Sequence, residues 1–306
     1  MANAGSVDRR RARARRLFER RGMRSQRIPL DNGTTLHCWV PPSGCEARPP
    51  LMLVHGFGWD GMTTWELQLE AFLEAEFAVY VPDLIFFGES TTTSSRRDVA
   101  FQAECLVAML RRLGVQSGVH VLGTSYGGMT TFLMASMFPE MIHKVVIASS
   151  GVCMDKSDYV AFGQKYNFVG MRNVILPITV DEVKESLSFI VPNPPQLANS
   201  TYEELLEVMY LKNRESKMEL YKGSSFGTDE ALTRPTLTQE VLLIWGEHDR
   251  LFDIHQALKL KKHLGNGVEL VIIKDVGHTP QSEAPKAFNT AAIGFFKSGS
   301  LPQSRL

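Results

Sequence analysis

The sequence predicts an α/β protein: a mainly parallel, doubly wound sheet covered by helices on both faces, with a helical cap inserted late in the chain. Three observations carry that expectation. Short apolar, β-branched runs alternate with helix-length amphipathic segments, the rhythm of a parallel sheet with crossover helices. One run, Val119–Gly123, passes straight into Gly-x-Ser-x-Gly and then a helix-like stretch. The rhythm then breaks between Val152 and Pro235, a span too long for a structureless loop.

Taken in order, the strand-like runs are Thr34–Val40, Leu51–His55, Ala78–Pro82, Val119–Gly123, Lys144–Ala148, Val241–Trp245 and Val268–Ile273. Between them, Phe101–Arg112, Met129–Phe138, Ile254–Leu264 and Pro285–Phe296 have helical spacing. The interrupted stretch has Pro192-Asn193-Pro194-Pro195 at its centre and helical patterns at Val180–Phe189 and Tyr202–Leu211. These patterns divide the chain into a basic arm (1–29), a core (30–151 and 236–298), a cap (152–235) and a tail (299–306).

Hydrophobic residues make up 44% and charged residues 22% of the 306, an ordinary globular composition. No apolar stretch is long enough to span a bilayer. Cys38, Cys45, Cys105 and Cys153 lack zinc-ligand spacing, and with no signal peptide in view they read as reduced thiols of a cytoplasmic protein. The zero net charge conceals an asymmetry. Residues 9–27 hold ten arginines against Glu19 alone; of 33 basic and 33 acidic side chains in all, this leaves 23 and 32 for the rest. Such an arm reads as a solvated basic tail, with contact to anionic lipid or an organelle-targeting leader as alternatives. Nothing basic and aromatic recurs in the acidic remainder, so nucleic acid is not an expected partner.

The chemistry centres on Leu122-Gly123-Thr124-Ser125-Tyr126-Gly127-Gly128. A strand that turns sharply into a helix holds one serine above the sheet. Gly123 and Gly127 stand where a Cβ would crowd neighbouring backbone. The hydroxyl needs a base, and of eight histidines only His278 sits in a loop directly after a late strand, behind the flexible Gly277. Asp249, one strand earlier, suits the carboxylate that orients such a base. Glu247, Asp253 and Asp275 are near enough in sequence to compete, but Glu247 comes too soon after its strand, and Asp253 fits the N-cap of the next helix. The expected oxyanion donors are the backbone N–H groups of Tyr126 and of Phe57, in His55-Gly56-Phe57-Gly58. His55 has no second metal ligand at a suitable spacing and reads as a buried, hydrogen-bonded loop residue.

With these motifs in the order Ser, Asp, His, the chain resembles the α/β-hydrolase superfamily over about residues 30–297. Val81-Pro82-Asp83-Leu84 and Phe87-Gly88-Glu89-Ser90 resemble that family's Pro-Asp-x-x-Gly-x-Gly-x-Ser segment, with Phe86 in place of its first glycine. The phrases around Val81, Leu122 and Ile244 are also similar to capped, monoacylglycerol-lipase-like serine hydrolases of land plants. The resemblance implies a carboxylic-ester hydrolase that uses Ser125, Asp249 and His278 and needs neither a metal nor an organic cofactor. Relatives with an aspartate nucleophile, the epoxide hydrolases and haloalkane dehalogenases, differ at position 125. The same scaffold also serves acyl transfer, cyanohydrin cleavage and small-ligand receptors with slow turnover, and these remain the alternatives.

The cap supplies Met154, Tyr159, Phe162, Phe168, Met171, Phe189, Met209 and Tyr210. Most are expected in its own core. Phe162 and Met209, with Phe57 and Tyr126, are expected to line an apolar pocket suited to a small-molecule ester with a lipophilic acyl group.

Overall fold

A computed structural model of the chain describes residues 5–166, 171–224, 227–230 and 234–298. Helix α1 (Ser6–Arg20) leads into strands β1 (Arg24–Pro29), β2 (Thr34–Val40) and β3 (Pro50–Val54). Helices α2 (Gly61–Trp65) and α3 (Leu69–Glu74) precede β4 (Ala78–Pro82) and the two-residue β5 (Thr91–Thr92). Then come α4 (Val99–Arg112), β6 (Val119–Thr124), α5 (Tyr126–Met137) and β7 (Ile142–Ala148). The sheet path runs β1-β2-β4-β3-β6-β7-β8-β9, with β8 (Glu240–Gly246) and β9 (Glu269–Ile273) completing it. Pairing from β4 through β9 is parallel, and β1 and β2 are antiparallel additions at one edge.

Alternation along each inner strand divides its side chains between two apolar layers. Met52, Val54, Val145, Ile147, Leu243 and Trp245 pack with α4, α5 and α11 (Ile254–Leu264) on one face. Leu51, Leu53, Val146, Ala148, Leu242 and Ile244 pack on the other with α1, α3 and α13 (Pro285–Lys297), where Phe18, Phe72 and Phe288 are fully buried. Register brings Val54 beside Gly123, Thr124 beside Ala148, and Gly246 beside Ile273. The carboxyl ends of the central strands therefore finish together, the usual place for a site in such a sheet.

Between β7 and β8 the chain forms only helices among the described residues: α6 (Lys156–Tyr166), α7 (Arg172–Ile175), α8 (Val180–Ile190), α9 (Asn199–Leu205), a π-helical turn (Leu206–Leu211) and α10 (Arg214–Lys222). Phe168 and the tail 299–306 lie outside the described residues.

The arm differs from its expectation as a solvated tail. Residues 6–20 are helical and bury Val7, Ala14 and Phe18, a spacing that places all three on one face. Arg10 and Arg11 pair with the buried carboxylates of Glu66 and Asp60 at 2.8 Å each. The sheet also begins before residue 30, because β1 pairs with β2 from Arg24↔Val40 to Pro29↔Thr35. As an edge strand, β1 buries only Ile28 and so shows no alternating apolar signature.

Phe86 adopts φ +73°, the left-handed region that favours glycine and where the related motif carries one. Its carbonyl accepts from Asn213 Nδ2 at 3.0 Å, and the Arg97 guanidinium sits 4.6 Å over its ring. One contact from the cap and one from the loop before α4 thus hold a conformation that a phenylalanine disfavours.

Candidate active site

Ser125 sits between β6 and α5 with φ +54°, ψ −121°, a conformation costly for a non-glycine residue. Its surroundings impose that turn. A Cβ at Gly123 would meet Gly127 O at 2.2 Å, and one at Gly127 would meet the carbonyls of His55 and Val54 at 2.4 Å. Ser125 N–H donates to Ala148 O at 2.9 Å, and the Ser150 hydroxyl donates to Ser125 O at 2.6 Å. Both contacts fix the backbone and leave Oγ free for other partners.

His278 Nε2 lies 3.0 Å from Ser125 Oγ, and His278 Nδ1 lies 2.9 Å from Asp249 Oδ2. The other carboxylate oxygen, Oδ1, accepts the N–H groups of Leu251 and Phe252 at 2.9 Å each. Asp249 is thus tied at both oxygens, which fixes the direction in which it meets the ring. This arrangement suits the neutral tautomer with its proton on Nδ1, leaving Nε2 to accept the serine proton. The competing carboxylates are engaged elsewhere. Glu247 accepts from Asp275 N–H, and Asp253 caps α11 by accepting from His255 N–H.

The loop carrying His278 is held from two sides. His278 N–H donates to the cap carbonyl of Ile190 at 2.7 Å, and Glu283, in α12 (Pro280–Glu283), accepts from Gly277 N–H at 2.9 Å. The Phe252 ring and the imidazole meet edge to face, with centroids 5.5 Å apart.

The His55–Gly58 loop passes against the serine, since a Cβ on Gly56 would lie 3.1 Å from Ser125 Cβ. Among the described residues, the backbone N–H groups of Phe57 and Tyr126 have no acceptor. The two rings meet edge to face at 5.6 Å. His55 is buried; its Nε2 accepts from Leu84 N–H at 2.9 Å, which makes it a brace for this loop. Burial holds its pKa below the ordinary histidine value, with the Asp83 charge acting in the opposite sense.

A cavity of about 500 Å³ opens over Ser125 and His278, and Phe57 and Tyr126 line it. The cap contributes Val174, Leu187, Ile190, Leu205, Met209 and Tyr210, so most of the wall is apolar. Phe162 is not part of that wall. It packs against Tyr166 and Phe189, with centroids 5.1 and 5.7 Å away, and borders a separate small cleft. Its helix turns it into the cap's own aromatic core, a choice that sequence spacing does not reveal. Met154, Met171 and Phe189 are likewise buried in cap packing.

Two features were not foreseen, one in the cavity wall and one behind it. Ser6, Val7 and Arg10 of α1 form part of its wall, and Val7 packs with Tyr202, Leu205 and Met209 of the cap. The recurrence of Val7, Ala14 and Phe18 was the available signal, obscured by the surrounding arginines. Lys217 is the second. It is buried and donates to Met209 O, within the π-helical turn, at 2.7 Å. Burial, aided by Lys212 and Arg214, pushes its pKa down to about 8.

The fold and this geometry define the class, and comparison with known proteins agrees. A sequence profile described as the alpha/beta hydrolase fold matches residues 49–285, and the chain belongs to that family. It is 26% identical over 253 residues to Lipase 1 of Psychrobacter immobilis, covering 79% of this chain and 75% of that protein. It is 24% identical over 253 residues to a 2-hydroxy-6-oxononadienedioate/2-hydroxy-6-oxononatrienedioate hydrolase of a Pseudomonas species, covering 80% and 87%. Among solved structures, carboxylesterase CesB of Bacillus subtilis superposes with a TM-score of 0.70 at 19% identity, covering 95% of this chain and 99% of that one. At that identity the likeness is one of fold.

Proposed function

We propose that this protein is a serine hydrolase of carboxylic esters with a lipophilic acyl group. The observation that carries the proposal is the hydrogen-bonded chain Ser125–His278–Asp249 at the floor of a mostly apolar cavity. Ser125 Oγ attacks the ester carbonyl while His278 Nε2 accepts its proton. The Phe57 and Tyr126 N–H groups receive the developing oxyanion, and Asp249 stabilises the imidazolium. His278 then protonates the departing alcohol, leaving an acyl-enzyme. Water attacks the acyl-enzyme by the same steps in reverse, releasing the acid.

The apolar wall favours an acyl chain of several carbons. The resemblance to monoacylglycerol-lipase-like hydrolases and the likeness to a lipase point the same way. The test combines a fluorophosphonate probe with a panel of p-nitrophenyl and monoacylglycerol esters. The native protein should label at Ser125 and turn over esters, and Ser125→Ala should lose both, the rate falling by about a millionfold. A single slow covalent event without turnover would instead identify a receptor. Labelling that survives in Ser125→Ala would place the nucleophile elsewhere.

A further inference from the structure

We infer that the outward face of α1 is a docking surface for anionic phospholipid bilayers, and that docking brings the rim of the substrate cavity to the lipid surface. The inference deepens the proposed function, on which its account of substrate delivery rests. The helix has two differently employed sets of arginines. Those on its inner and lateral sides are engaged by the core: Arg10 with Glu66, Arg11 with Asp60 and Arg15 with Glu89. These pairs lock the rotation of α1 about its axis, as do the buried Val7, Ala14 and Phe18.

Arg9, Arg13, Arg16 and Arg20 follow one another at helical spacing on the side opposite those buried residues, and all four are exposed. They form a row about 16 Å long. Arg16 and Arg20 have no carboxylate within ion-pair range among the described residues, and Arg13 only approaches Glu66 at 3.9 Å, with 69% of its side chain exposed. The row is therefore a fixed cationic strip on a chain whose remainder is acidic.

The occupant follows from what lies at the end of the strip. The N-terminal end of α1 supplies Ser6, Val7 and Arg10 to the cavity wall, and the Arg10 guanidinium lies 5.3 Å over the ring of half-buried Trp59, another wall residue. A partly exposed tryptophan and arginine in the wall of an apolar cavity suit the boundary between water and lipid. Phe18 and Val7 face inward, so attachment is electrostatic and reversible, with no inserted segment.

The test uses the full chain with two sets of vesicles, pure phosphatidylcholine and phosphatidylcholine containing about one-third phosphatidylserine. The protein should sediment with the anionic vesicles alone and be released as salt rises from about 0.1 to 0.5 M. The triple variant Arg13→Gln, Arg16→Gln, Arg20→Gln should lose on the order of a hundredfold in partitioning, at roughly fivefold per arginine. Its turnover of dissolved p-nitrophenyl acetate should equal that of the native protein, while turnover of a long-chain ester carried in anionic vesicles falls. Equal binding to both vesicle types, insensitivity to salt, or unchanged partitioning of a folded triple variant would overturn the inference. So would tighter binding to heparin than to vesicles of matched charge, which would assign the strip to a soluble polyanion. Sedimentation is read without turnover, so vesicle binding in a protein that cleaves no ester would refute the proposed function and leave the docking surface standing.

Discussion

The sheet and the cap contribute to one cavity by opposite means. At the sheet, position is set by backbone. Ser125 is forced into its turn by two glycines whose neighbours leave no room for a Cβ, and Asp249 is tied by two main-chain N–H groups. At the cap, position is set by side chains on short helices, and the cap reaches the core through scattered contacts: Ile190 O to His278, Asn213 to Phe86, Lys259 to Asp155 and Asp158. The first construction tolerates almost no change in the residues that define it. The second accepts many side chains of similar volume and so is the place where substrate choice can vary. Helix α1 joins the two, held by ion pairs to Glu66 and Asp60 on the core and by Val7 N–H to Glu204 Oε2 at 2.8 Å on the cap.

The largest test of this contrast is Asp249→Asn. The amide can keep the two main-chain bonds at Oδ1, but it favours the wrong imidazole tautomer. Turnover should fall by about 10⁴-fold for every ester tried, with a melting temperature close to that of the native protein. An effect that depends on acyl length would mean that Asp249 acts on the pocket and not on the base.

Phe162→Ala should show the reverse pattern. Phe162 packs inside the cap, away from the cavity wall, so its loss should cost about 3–5 kcal/mol of stability. The ratio of long-chain to short-chain turnover in the folded fraction should not change. Calorimetry and a two-ester assay read both quantities, and an altered ratio would place Phe162 in contact with substrate after all.

A polar residue in the wall should act on selectivity alone. Met209→Asn and Leu187→Asn should depress turnover of long-chain esters relative to acetate by up to about 0.8 kcal/mol for each methylene that loses its apolar contact. Labelling of Ser125 by a fluorophosphonate should persist. If both variants lose acetate and long-chain activity equally while folded, the cap does more than select.

What could be read from the sequence follows the same division. The elbow, the Ser, Asp, His order and the capping role of Asp253 were legible, because backbone requirements leave glycines, strands and turn residues at fixed spacing. Strand β2 and helix α11 begin and end where their patterns do. The orientation of cap side chains was not legible. Met209 reaches the cavity and Phe162 does not, although both are bulky apolar residues of the cap, and only tertiary packing separates them. The arm was misread for a related reason. Its inward residues are few, and its inner arginines are neutralised by carboxylates more than forty positions away, such as Asp60 and Glu66.

The smallest effect expected concerns the end of the sheet away from the cavity. His120 is the second residue of β6, five residues before Ser125, and is buried between Phe77 and Phe296 beside His143. Burial first, then the nearby His143 and Lys144 charges, pushes its pKa down to about 4 from 6.5. The unfolded chain therefore binds this proton at a higher pH than the folded one. The stability associated with a neutral His120 is fully present above about pH 6.5 and is lost as pH falls toward 4. His120→Leu removes that acid-sensitive contribution and should move the acid-unfolding midpoint to lower pH, while ester turnover at neutral pH stays the same. Urea melts at a series of pH values read the first quantity. An unchanged midpoint would show that this end of the sheet admits the proton without cost, and would shift the origin of acid sensitivity to the carboxylates that tie α1 and the cap to the core.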